Sequence, residues 1–263
     1  MSQAALESVL RRDRVVVGAA LAALVIVAWL YLVYLAAAMS HMAPDMASMP
    51  GVATAMRPWS GLDVVALTAM WIIMMVAMMT PAAAPMILVF ATIYRRRAAQ
   101  SRPAIPIAVF LLGYLAVWTA FSVVAALAQA ALHAAAMLSP MMAAESPLLV
   151  GGLLVVAGLF QLTPLKRACL ATCRSPISFV MTRWREGRWG AFAMGVRHGL
   201  YCLGCCWALM LLLFAAGVMN LLWVAVIAVG VLIEKVVPRG DLVGRVAGVV
   251  LFVVGVWLIA RSL

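Results

Sequence analysis

Charge is what this chain has least of. Only 10% of its 263 residues are Asp, Glu, Lys or Arg, and just 8 of those are acidic. A soluble domain of this length cannot wet its surface with so few charges, which excludes an ordinary soluble globular protein. The chain also lacks the apolar–polar alternation of membrane strands, which excludes a β-barrel. It has no phosphate-cradling glycine loop and no ATPase signature. None of the 5 cysteines falls in a segment read as external, so the chain is not a disulfide-stapled protein.

What is present is apolar. Hydrophobic residues make up 68% of the sequence, and mean hydropathy is +1.14. The expectation is an all-α fold, a polytopic transmembrane helix bundle lying in a lipid bilayer as a single integral domain over 1–263. About seven spans are long enough for the bilayer core, at about 15–39, 61–90, 103–132, 148–165, 190–217, 221–237 and 242–260. The net charge of +11 is not a nucleic-acid signal, because the basic residues cluster at span ends. Of the 19 Lys and Arg, all but Arg57, Arg197 and Arg261 lie on flanks that a cytoplasmic N-terminus places inside. The first apolar run follows Arg11, Arg12 and Arg14 and is too long for a signal-peptide core, so it reads as an uncleaved helix. The third span reads as free of titratable groups in its core.

The densest chemistry lies in the fifth span. Met194, His198, Cys202, Cys206 and Met210 follow one another at intervals of four, with Cys205 beside Cys206. On a helix this spacing makes a slanting stripe that drifts by roughly 40° per step, and any three consecutive members are placed to converge. Thiolate, imidazole and thioether are soft donors suited to Cu(I), and thiolate and imidazole also suit zinc. A polar stripe is costly in lipid, so it should face protein. The plainer alternative is that Cys and Met merely pack helix interfaces.

Three further groups carry similar donors. Met70, Met74, Met75, Met78 and Met79 crowd the second span just before Pro81, which should kink or end that helix. Cys169 and Cys173, at i and i+4, sit among Lys166, Arg167 and Arg174, neighbours that favour the reactive thiolate. His41, Met42, Met46 and Met49 lie in a Pro-containing segment read as an external loop, similar to the Met/His-rich patches that collect copper outside membranes. Each has a bland reading as packing or linker. Lone His133 reads as a surface residue. Glu234 has three possible partners, Lys235, Arg197 and His198, and the sequence does not choose among them.

The pieces Met-Trp-Ile-Ile-Met-Met-Val-Ala-Met-Met-Thr-Pro from Met70, Gln-Leu-Thr-Pro-Leu-Lys from Gln161, and Gly-Leu-Tyr-Cys-Leu-Gly-Cys-Cys-Trp-Ala-Leu-Met from Gly199 carry a resemblance. With them the chain resembles a bacterial family of predicted metal-binding integral membrane proteins of unknown function. The resemblance implies a bacterial inner-membrane setting and metal binding, and supplies no mechanism.

The leading expectation is a copper-binding inner-membrane protein, not an enzyme, that captures, holds or passes Cu(I) and supplies a periplasmic or membrane copper protein. In that scheme the His41 loop captures, the Met70–Met79 group relays, and Cys202, Cys205, Cys206 and His198 hold the ion. Cys169 and Cys173 then exchange it at the cytoplasmic face. Zinc is the alternative metal. The rival functions are a transmembrane thiol–disulfide oxidoreductase, using Cys202-Leu203-Gly204-Cys205, and an assembly subunit that binds no metal.

Overall fold

The computed structural model describes residues 3–47, 59–97, 104–135 and 146–262, with side chains in the first segment from residue 12 to residue 38. Among the described residues the secondary structure is entirely helical. The helices are α1 (Gln3–Ala47), α2 (Gly61–Arg97), α3 (Ala104–Ala134), α4 (Pro147–Leu162), α5 (Pro164–Cys173), α6 (Pro176–Thr182), α7 (Gly187–Ala216), α8 (Leu221–Val236) and α9 (Gly240–Ser262).

Among the described residues five helices (α1, α2, α3, α7 and α9) are long and apolar enough to cross a membrane. The bent pair α4–α5 makes a sixth if counted as one span. The expected span at 148–165 is interrupted: α4 stops at Leu162, and α5 leaves at 66°. The cause is local. Thr163 is extended and caps α5 by accepting from the Lys166 amide at 3.2 Å, and Pro164 occupies the first helical position, where its missing N–H costs nothing. The expected span at 221–237 becomes α8, 16 residues long. That is about 24 Å of helix against a bilayer core of about 30 Å.

Two other boundaries differ from expectation. α1 continues beyond residue 39 to Ala47, because its Ala- and Met-rich end favours helix. His41, Met42 and Met46 therefore lie on helical backbone rather than in a loop; their side chains, and Met49 altogether, fall outside the described ones. α2 passes through Pro81 and Pro85 and ends at Arg97, seven residues beyond the expected limit. Its start is set by a reciprocal cap. The Ser60 amide and hydroxyl both donate to Asp63 Oδ2, at 2.7 and 2.8 Å, and the Asp63 amide donates to Ser60 Oγ.

The helices pair as α1 on α2, α3 on α7 and α4 on α9. The last two pairs meet backbone to backbone. A Cβ added at Gly195 would stand 2.0 Å from the Phe110 carbonyl oxygen, and one at Gly158 would stand 2.7 Å from that of Gly248. Small residues of this kind let helices associate where no water drives them together. At one end of the bundle Asp13 pairs with Arg95, Arg14 donates to Thr92, and Arg97 lies over Trp184. The basic flanks of α1 and α2 and the 183–186 link therefore gather on one side. At the other end Trp59 stacks on His133 at 4.2 Å, so His133 is an aromatic partner rather than a bare surface group.

Candidate metal centre

The stripe read from the sequence is the inward face of α7. Met194, His198, Cys202, Cys205, Cys206 and Met210 are all buried. Gly217, with φ of 88°, then ends the helix. The two thiols one turn on from Cys202 fold back onto its carbonyl. Cys205 Sγ lies 3.1 Å and Cys206 Sγ 2.8 Å from that oxygen. Cys206 Sγ is also 3.9 Å from Met79 Sδ, which joins the methionine face of α2 to the cysteines of α7.

The sequence placed Cys169 and Cys173 at a separate station on the cytoplasmic side. The structure brings them to the same cluster. The bend before α5 turns its dithiol face back towards α7, where the Cys173 thiol neighbours that of Cys205. Cys169 Sγ covers the small gap at Gly204, 3.0 Å from where a Cβ would stand. All five cysteines are free thiols. Three helices (α2, α5 and α7) thus deliver side chains to one sulfur-rich region.

Two residues that the sequence reading did not assign to the site complete it. Lys235 of α8 is buried and places its ammonium 2.8 Å from Cys202 Sγ. Tyr114 of α3 is fully buried; its hydroxyl donates to the Met79 carbonyl at 2.9 Å and lies 3.2 Å from Cys202 Sγ. Tyr114 also corrects the reading of the third span as free of titratable groups. The available signal was a phenol in an apolar helix, since a buried tyrosine hydroxyl needs a partner.

Glu234 pairs with none of the three partners considered for it. Its Oε2 lies 2.6 Å from Lys166 Nζ, and its Oε1 accepts from Gln161 Nε2 at 2.9 Å. Lys166 also donates to Gln161 Oε1.

The remaining donors divide. Met70, Met74, Met75 and Met78 lie with Met79 on the buried face of α2, which continues through Met86 to Ala91. Met210 is buried further along α7. Met194 is engaged elsewhere, its Sδ accepting the Arg185 amide at 3.4 Å. His198 is the unusual one. It is buried among Tyr114, Phe110 and Phe179 at ring distances of 5.5, 6.3 and 5.8 Å, and both of its ring nitrogens lack a hydrogen-bond partner. Buried polar atoms normally have partners, so an orphaned imidazole marks a vacant donor.

These groups suit a soft ion. Five thiols, a thioether and an unpartnered imidazole match the donor preferences of Cu(I). Among the described residues no three His, Cys, Asp or Glu side chains already converge on one point. The closed tetrahedral cage of a structural zinc site is therefore not found among the described residues. What the structure presents is sulfur pairs, Cys206 with Met79 and Cys205 with Cys173, and Cu(I) accepts low coordination numbers.

Fold and site together define an all-helical protein with a buried cluster of soft donors. Residues 68–258 match the family model PpoB2, described as a copper chaperone, and the chain belongs to that family. The matched range holds every cysteine and the whole methionine face of α2. No curated protein and no solved structure matches the chain.

Proposed function

We propose that the chain is a multi-pass protein of the bacterial inner membrane that takes up Cu(I), holds it among the sulfurs of α2, α5 and α7, and passes it to another copper protein. The observation that carries this reading is that α5 turns its two cysteines onto the three of α7, with Cys206 against Met79 of α2, in a chain of the copper chaperone family. Seven spans follow if α4–α5 counts as one and α8 as a short one, with the N-terminus in the cytoplasm. His41, Met42, Met46 and Met49 collect the ion outside, and the methionine face of α2 conducts it inward.

Copper is the cargo, and the protein's part is to offer donors in sequence. Thioethers along α2 bind weakly enough to release, and the thiols bind more strongly. Thiolate ligands carry negative charge into an apolar interior, where unpaired charge is costly. The Lys235 ammonium beside Cys202 offsets it. His198 supplies a neutral donor one turn from Cys202. Nothing in this scheme requires hydrolysis or a covalent intermediate.

The test is metal analysis by mass spectrometry. The protein is purified from copper-supplemented cells without chelator, beside a Cys202→Ser/Cys205→Ser/Cys206→Ser variant. Copper in stoichiometric amount, lost in the variant, is expected. Equal copper in both, or none in either, overturns the reading.

The contact of Cys173 with Cys205 favours a second reading, a thiol–disulfide oxidoreductase that moves electrons between these dithiols. A mixed disulfide trapped with a partner protein, in a chain that retains no copper, would select it.

A further inference from the structure

Both ends of α5, the helix that carries Cys169 and Cys173, are tied to one residue of α8. At its first turn Lys166 Nζ meets the Glu234 carboxylate at 2.6 Å, and Gln161, in the last turn of α4, binds the other carboxylate oxygen at 2.9 Å. At its far end Arg174 donates to the Glu234 carbonyl at 3.0 Å and to that of Val237 at 2.8 Å. These carbonyls belong to the C-terminus of α8, where helical partners have run out. α9 closes the remaining side, since a Cβ at Gly244 would stand 2.8 Å from Glu234 Oε1.

We propose that Glu234 is the positioning residue that seats the α5 dithiol against the thiols of α7. It does not touch the cargo. Its carboxylate fixes the bend between α4 and α5, and that bend aims Cys173 at Cys205. A buried ion pair is poor evidence of stabilisation, because desolvation offsets the attraction and apolar replacements are often as stable. The placement of this pair accounts for it better. It stands at the 66° break, and the next residue, Lys235, reaches the other way, to Cys202 of α7. Successive helical residues point about 100° apart, so one turn of α8 addresses both cysteine-bearing helices.

The copper consequence rests on the proposed function, but the seating does not, and the experiment separates them. The full chain is oxidised with diamide, which takes two electrons and two protons from a thiol pair to leave a disulfide and the reduced hydrazine. The peptide linking Cys173 to Cys205 is followed by mass spectrometry over time. Glu234→Leu is compared with Glu234→Leu/Lys166→Leu, which leaves no unpaired buried charge. The single variant is expected to lose both thermal stability and the linkage. The double variant is expected to recover melting temperature and still to link about tenfold more slowly than the parent, because an apolar pair restores packing without restoring the tie. A double variant that links at the parent rate makes Glu234 merely structural and overturns the proposal, as does a single variant that links at the parent rate. If linkage behaves as expected while the parent holds no copper, the positioning role stands and the copper reading fails.

Discussion

The ammonium of Lys235 stands 2.8 Å from the sulfur of Cys202, and both side chains are buried. Removing the sulfur leaves the buried ammonium without compensation, whereas removing the ammonium leaves a thiol, a group that need not carry charge. Cys202→Ala should therefore destabilise the fold by about 3–5 kcal/mol, whereas Lys235→Met, apolar and of similar reach, should cost much less. The double variant should regain most of the stability lost in Cys202→Ala. Melting temperatures of the four proteins in detergent form the cycle, and strict additivity would show that the two groups do not interact.

His198 sets fold against function. Its unpartnered nitrogens are a burden in an aromatic pocket, and Phe fits the same neighbours. His198→Phe should leave the melting temperature unchanged or higher, because it removes an unsatisfied buried polar group, which costs about 1–3 kcal/mol. The same variant should retain less copper. A stabilised variant with full copper would remove His198 from the site.

Met79 can be stripped of its sulfur at little cost to packing. Met-to-Leu exchanges in a core cost less than about 1.5 kcal/mol. Met79→Leu should keep the fold and lower copper retention, because the sulfur 3.9 Å from Cys206 is gone. Met194→Leu should change retention little, since that sulfur faces the Arg185 amide. Competition with a Cu(I) chelator ranks the two, and equal affinities would dissociate Met79 from the cluster.

Glycines on different helices should respond oppositely to the same change. Gly195→Ala drives a methyl to 2.0 Å from backbone of α3, and overpacking of this kind costs about 1–3 kcal/mol or more. Gly152 of α4 has nothing within 4 Å of an added Cβ, so Gly152→Ala should stabilise by up to about 1 kcal/mol through helix propensity. Thermal melts of both variants decide it.

Periodicity made the helices and the inward face of α7 legible, because a four-residue interval is a property of the helix itself. Met194, His198, Cys202, Cys206 and Met210 are all buried, as that interval requires. The meeting of α5 with α7 was not legible. Cys169 and Cys173 are 29 or more positions away from Cys202 along the chain, and no local rule states which way a helix leaves after Thr163-Pro164. The partner of Glu234 was hidden for the same reason: Lys166 reaches it only because the chain turns back there. The adjacent Lys235 is one of the three candidates the sequence offers, yet neighbours on a helix point apart, and it serves Cys202 instead. α1 shows the opposite limit, where a proline and polar residues suggested a loop and helix-forming neighbours carried the helix through.

The number of thiols in the cluster is odd, and that has a consequence under oxidising stress. Five cysteines admit two intramolecular bridges at the most, so one sulfur is always left over. A fully paired, inert form of this region does not exist. Once bridged, the chain still holds a thiol that can attack, or be attacked by, a disulfide on a second molecule. Parity alone keeps the centre chemically open.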